Sequence, residues 1–137
     1  MPILQTDDEI RTLLRETRTI AVVGLSAHPS RDSYRIAEYL LGAGYRIIPV
    51  NPAIETVLGL RAFASLADIG MPVDLVDVFR RPEFVPGIVD ETRAAGARAI
   101  WMQLGVGSAQ AIERADAAGL LTVADRCIYV EHRRLLR

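Results

Sequence analysis

Lysine is absent from this chain: all 16 of its Lys+Arg positions are arginine. That absence excludes a P-loop lysine over a nucleotide's phosphates, a Schiff-base lysine and a lysine general base. Cysteine is almost absent too. Cys127 alone cannot close an internal disulfide, and His28 and His132 are too few for a metal-ligand cluster. No apolar run is long enough to span a bilayer. The segment from Met1 to Leu14 carries Asp7, Asp8 and Glu9 and lacks the cationic start and apolar centre of a secretory leader. A cytoplasmic protein without membrane attachment is the expectation. Charge of one sign is missing as well: the net charge is -1, with no basic run longer than the pairs Arg80-Arg81 and Arg133-Arg134, which argues against a broad nucleic-acid-binding face.

What is present is ordinary for a globular chain, half hydrophobic and a quarter charged. One domain covering residues 1–137 is expected, a size that buries roughly two-thirds of its unfolded surface without disulfides or metals. Thr6-Asp7-Asp8-Glu9 is a capping box opening a short helix with Ile10, Leu13 and Leu14 on its apolar face. A strand over Thr19 to Val23 leads into Gly24-Leu25-Ser26-Ala27-His28-Pro29. A helix from Ser33 to Leu41 follows, stopped by Gly42-Ala43-Gly44, and then a strand from Arg46 to Val50.

Beyond it, Thr56 to Ile69 is ambiguous between a short strand or turn at Leu58-Gly59-Leu60 and a helical turn at Ser65 to Ile69. A third main strand, Val73 to Phe79, mixes apolar residues with two aspartates, a pattern expected of an outer strand. A helical region from Pro82 to Gly96, a strand at Ala99 to Leu104, a helix from Ser108 to Ala118, a strand at Leu120 to Ala124 and a helix at Tyr129 to Leu136 complete the chain. Strands alternating with helices predict an α/β fold: one doubly wound, Rossmann-like domain with a five-stranded, mainly parallel sheet and right-handed crossovers.

The first strand–turn–helix unit lies where such folds bind phosphates, yet it lacks the dinucleotide fingerprint. Gly24, Ser26 and Pro29 stand where three glycines would fall. The acid that grips a ribose diol about twenty residues later is replaced by Asn51 and Pro52. The architecture is that of a nucleotide binder, and its details argue against ordinary NAD.

Several phrases, in this order and spacing, resemble the small CoA-binding proteins, stand-alone relatives of the CoA-binding domain of succinyl-CoA synthetases. They are Val23-Gly24-Leu25-Ser26 with Pro29, Arg31 and Ser33; Gly44-Tyr45; and Pro49-Val50-Asn51-Pro52. Further on come Val73-Asp74, Val76-Asp77-Val78-Phe79-Arg80, Trp101-Met102-Gln103-Leu104-Gly105-Val106 and Ala124-Asp125-Arg126-Cys127. Alanine or serine is frequent in that family where Leu25 stands here. The resemblance covers about Ile20 to Leu135 and implies a Rossmann-like sheet that binds coenzyme A, free or acylated. It implies no reaction and names no protein partner.

Gly24 to Ser33 is the phosphate candidate: free amides at a helix start, a hydroxyl from Ser26 and the two-pronged guanidinium of Arg31. The alternative is a tight turn with a solvated arginine and Ser30 or Asp32 as cap, and the charge of Asp32 would compete with a phosphate. Val50-Asn51-Pro52 stands where the ribose falls; a neutral amide there tolerates a phosphorylated ribose, as in CoA or NADP, or simply turns the chain. Phe79 can flank an adenine, and Arg80 can stack on it or, like another nearby arginine, meet the ribose 3′-phosphate. Gln103, Gly105 and Val106 can line the pantetheine with amide groups. Trp101 and Met102 belong to the core.

Cys127 near a CoA cleft invites a mixed disulfide, although lone cytosolic cysteines are commonly inert. Gly24-Leu25-Ser26-Ala27-His28 lacks the last glycine of a nucleophile elbow, and no pair of carboxylates stands out. The leading reading is therefore a non-catalytic CoA or acyl-CoA binder acting as carrier, sensor or regulatory module. The alternatives are an NADP-linked or acyl-CoA-transforming enzyme, and an interaction module without a ligand.

Overall fold

The structure is a computed structural model describing residues 3–136; Met1 and Pro2 of the segment tested above for a leader, and Arg137, lie outside it. The elements run α1 (Asp7–Glu16), β1 (Thr19–Val23), α2 (Asp32–Gly42), β2 (Arg46–Val50), β3 (Thr56–Val57), β4 (Leu60–Arg61), β5 (Leu75–Val78), α3 (Val85–Ala94), β6 (Ala99–Met102), α4 (Ala109–Ala117), β7 (Leu121–Ala124) and α5 (Ile128–Leu136). The capping box forms as read: Thr6 Oγ1 accepts from Glu9 N while Glu9 Oε1 accepts from Thr6 N. Among the described residues no helix is long and apolar enough to cross a membrane.

Five strands form one parallel sheet in the order β2-β1-β5-β6-β7. Both faces are covered, which is why three strands read as nearly unbroken apolar runs. Ile20 and Val22 of β1, Leu75 of β5 and Trp101 of β6 pack under α1, α2 and α5. Ala21, Val23, Val76, Val78, Ile100 and Met102 point the other way, against α3 and α4. The chain leaves β1 toward β2 on one side and returns to β5 on the other. The resulting crevice between the ends of β1 and β5 is the switch point at which open α/β sheets bind ligands.

The expectation of an outer position for the aspartate-bearing strand is overturned: β5 lies at the centre, between β1 and β6. Its aspartates have structural uses that a strand pattern does not reveal. Asp74 Oδ2 accepts from the amides of Arg18 and Thr19, fixing the start of β1. Asp77 is fully buried, and its Oδ1 accepts from Gln103 Nε2 at 2.6 Å. The outer strands are β2 and β7, and Pro49 of β2 gives up no bond to β1, because its carbonyl side faces outward to receive Phe63 N at 2.9 Å. The ambiguous stretch is a β3–β4 hairpin turning on Leu58 and Gly59, both at positive φ (54° and 73°), followed by a 3₁₀ turn at Leu66–Asp68.

Asp77 Oδ2 has no hydrogen-bond partner among the described residues. Burial therefore pushes the carboxyl up to about 7 from its model-peptide value of 3.8, only partly offset by the Gln103 bond. Between those values the folded chain holds a proton that the unfolded chain has lost, so stability falls as pH rises from about 4 to 7. The full effect is on the order of 4 kcal/mol at about 1.4 kcal/mol per unit. The wild-type unfolding temperature should thus drop between pH 5 and pH 8 by more than that of Asp77→Asn, which keeps a polar partner for Gln103 without a charge. Parallel melting curves across that window check this; equal pH dependence in the two proteins would contradict it.

Candidate functional site

The carboxyl edge of the sheet is closed by backbone bonds that continue past the strands. Phe79 N donates to Val23 O, and Gly24 N to Val50 O, both at 2.9 Å. Gly24 has φ 86°, and a Cβ on it would stand 2.3 Å from the Phe79 carbonyl oxygen. Only glycine fits where the β1 turn crosses the end of β5.

From Gly24 the chain makes a loop tied to its own residues. Leu25 buries its side chain completely, while its carbonyl accepts from Asn51 Nδ2 at 3.0 Å. Ser26 N donates to the buried Ser33 Oγ at 3.0 Å, and Ser26 Oγ accepts from His28 N. His28 O accepts from Arg31 N. The helix that follows begins with Arg31 as an N-cap whose side chain makes no capping bond. Its first-turn amides have no intrahelical acceptor. They open, with Gly24, Ser26, Ser30, Arg31, Asp32, Ser33 and Phe79, onto a hollow of about 510 Å³. Asp32 turns its carboxylate to Arg35, which offsets the charge otherwise set against an anion here.

Two further hollows adjoin the ends of β1 and β2. One, of about 310 Å³, lies between Val23, Val50 and Pro52 on one side and Arg80, Phe84 and Ile88 on the other. The Arg80 guanidinium sits 4.5 Å above the Phe84 ring, which leaves a flat cationic surface beside an apolar wall. The next, of about 340 Å³, is lined by Asn51, Pro52, Ile54, Glu55 and Arg61, and shares Pro52 and Ala64 with the previous one. A further hollow, of about 630 Å³, lies around Gly70, Pro72 and Gly96; it shares Leu66 and Glu91 with the Arg80–Phe84 hollow and none of the Gly24–Ser33 residues.

The structure thus gathers Gly24, Ser26, Arg31, Ser33 and Phe79 around one hollow, and Val50, Pro52 and Arg80 around its neighbour. Leu25 and Pro29 shape the loop and line none of these hollows; the Leu25 side chain is fully buried. Asn51 is a brace: its Nδ2 holds Leu25 O, and its Oδ1 receives Ala53 N at 2.8 Å. The amide groups expected to meet a pantetheine are already engaged. Gln103 is buried, with Nε2 on Asp77 and Oε1 receiving Ile128 N, while Gly105 N donates to Asp125 Oδ1 at 3.1 Å. Val106 is half-buried and packs on the α3–α4 side of the core. Cys127 is half-buried ahead of α5. Among the described residues no group of His, Cys, Asp and Glu is placed to hold a metal.

Two lining residues escape a reading by motif. Phe84 is a 3₁₀-turn residue whose exposed ring has meaning only once Arg80 lies over it. Arg61 arrives on the hairpin; the signal for it is the Leu58-Gly59 turn, which pairs Thr56 with Arg61.

Residues 18–133 match the family described as CoA binding domain. The uncharacterized protein YneT of Bacillus subtilis is 41% identical over 124 residues, spanning 90% of this chain and 92% of that one. A hypothetical protein from Pyrococcus horikoshii superposes with a TM-score of 0.94 at 40% identity, covering 97% of this chain and 94% of its own. An ADP-forming acetate–CoA ligase of Methanocaldococcus jannaschii is 24% identical over 81 residues, 59% of this chain and only 12% of that enzyme. On the family match and the near full-length likeness to YneT, this chain belongs to the CoA-binding domain family.

Proposed function

We propose that the protein is a non-catalytic binder of coenzyme A, free or acylated, that holds the ligand by its nucleotide end and serves as a carrier, sensor or regulatory module. The observation that carries this reading is the hollow at the switch point. There an uncapped helix start, the Ser26 and Ser33 hydroxyls and the guanidinium of Arg31, which has no ion-pair partner among the described residues, converge on one hollow. The pyrophosphate lies there, and the adenine lies in the next hollow between Pro52 and the stacked Arg80–Phe84 pair. The ribose spans the rim at Asn51-Pro52. The pantetheine leaves over Phe79 toward Leu104 and Val106, with its thiol end, bare or acylated, at a loop whose Leu104 side chain is exposed.

The lining groups favour binding over chemistry. Besides cations and hydroxyls they include two carboxylates, Asp32 and Glu91, but these line different hollows and Asp32 is paired with Arg35, so no acid–base couple meets in one hollow among the described residues. They also disfavour NAD: the Asn51 side chain is spent on Leu25 and Ala53 and offers no carboxylate to a free ribose diol.

CoA should therefore protect the fold where NAD does not. At a hundred times its dissociation constant a ligand adds about 2.7 kcal/mol of stability, a clear rise in melting temperature. Equal protection by NAD would sink the assignment.

Arg31→Ala should weaken CoA by about ten- to a hundredfold, the loss expected for a charge-assisted bond of roughly 1.5–3 kcal/mol. The unliganded melting temperature should hardly move, since Arg31 is exposed and makes no ion pair among the described residues. Calorimetry reads the affinity, and an unchanged value would place the pyrophosphate elsewhere.

A further inference from the structure

The β3–β4 hairpin brings a cation to the ribose corner that no motif announces. Its strap is bonded to the outer edge of β2, with Phe63 N on Pro49 O and Asn51 N on Phe63 O, both at 2.9 Å. The same strap pairs Val50 with Phe63 in parallel register. Arg61 is thereby fixed beside Asn51, in the hollow that shares Pro52 and Ala64 with the Arg80–Phe84 hollow. Its guanidinium stacks 4.7 Å above the Phe63 ring. Stacking satisfies the face of a guanidinium and leaves its edge N–H groups to donate. No ion pair engages Arg61 among the described residues, even though Glu55 lines the same hollow.

We propose that Arg61 is the specificity residue for a phosphate monoester on the ligand's ribose. An adenosine with its base beside Arg80 and its ribose across Pro52 turns the 3′ substituent into the Arg61 hollow. There the edge of the guanidinium forms a charge-assisted pair with the phosphate. Arg80 then serves the base and Arg61 the phosphate. Glu55 opposes the same phosphate, so the hollow holds one attractive and one repulsive group, and their balance sets the preference for CoA over dephospho-CoA. This assignment rests on the proposed CoA-binding function and adds to it which residue reads the 3′-phosphate.

Calorimetry with CoA and with dephospho-CoA at low salt tests it on the wild type and three variants. Wild type should bind CoA more tightly than dephospho-CoA, and the gap should narrow as ionic strength rises, because the hollow is open to solvent. Arg61→Ala should weaken CoA by about tenfold and leave dephospho-CoA unchanged. Glu55→Gln should tighten CoA alone. Arg80→Ala should weaken both ligands by a similar factor. Unliganded melting curves establish that each variant is folded, and Glu55→Gln gives a readout that does not depend on truncating the arginine. If Arg61→Ala leaves the ratio of the two affinities unchanged, the role of Arg61 is overturned while CoA binding stands. If wild type binds neither ligand, the CoA assignment itself fails.

Discussion

The close crossing of Gly24 over the end of β5 is the constraint from which the carboxyl edge takes its shape. With a Cβ position only 2.3 Å from the Phe79 carbonyl, any other residue there would push β1 and β5 apart just where their ladder ends. Because glycine lets the two backbones meet, Phe79 N can still bond Val23 O and Gly24 N can still bond Val50 O. Three strand ends are thus locked to one another at the crevice floor. The loop that rises from that floor is then held by short side chains: Ser33 receives Ser26 N, and Asn51 holds Leu25 O. The hollow beside it is a consequence of strand packing and loop bonds, so little ordering of its backbone is left for a ligand to impose.

Beneath this edge the sheet carries a polar pair that fixes what the β6 end of the crevice has to offer. Asp77 in the central strand bonds Gln103 at the end of β6, and Gln103 in turn receives the first amide of α5. A neutral or half-ionised carboxyl joined to an amide costs less in the core than a full charge, and it links three elements through one contact chain. The same arrangement withdraws the Gln103 amide from solvent. The strand end that motif reading assigns to the ligand serves instead as scaffold, and on that side the crevice presents the exposed Leu104 and half-buried Val106.

The layered α/β architecture was legible from the alternation of apolar runs with capped helices, and the capping box at Thr6 and the Ser108 cap stand where those patterns put them. The strand–turn–helix from β1 through Gly24 to α2 was legible too, because a glycine at a strand end followed by hydroxyl residues and a helix start is a local arrangement. What the pattern hid was long-range. Asp74 and Asp77 suggested solvent, yet one caps β1 from 55 residues away and the other bonds Gln103 26 residues away. Periodicity carries no information about such partners. Arg61 was hidden for a related reason: the four-residue pairing of β3 and β4 is too short to show alternation, and its place beside Asn51 depends on a bridge from Phe63 to Val50.

The absence of lysine takes on structural meaning at the site. Arg80 lies over Phe84, Arg61 over Phe63 and, on α5, Arg133 over Tyr129. A guanidinium can rest its weakly hydrated face on a ring while its edge keeps donors in a fixed plane, whereas an ammonium on a flexible stem has neither a face to stack nor a fixed plane. Stacking therefore orients a cation without pairing it to a carboxylate, which would compete with an anionic ligand. Two of these stacked arginines border neighbouring hollows that share Pro52 and Ala64, on either side of the corner braced by Asn51. In a chain whose only strong cations are arginines, aromatic residues placed a few positions away decide where positive charge is held ready. That placement, more than net charge, gives a nearly neutral protein an edge suited to a ligand with several phosphates.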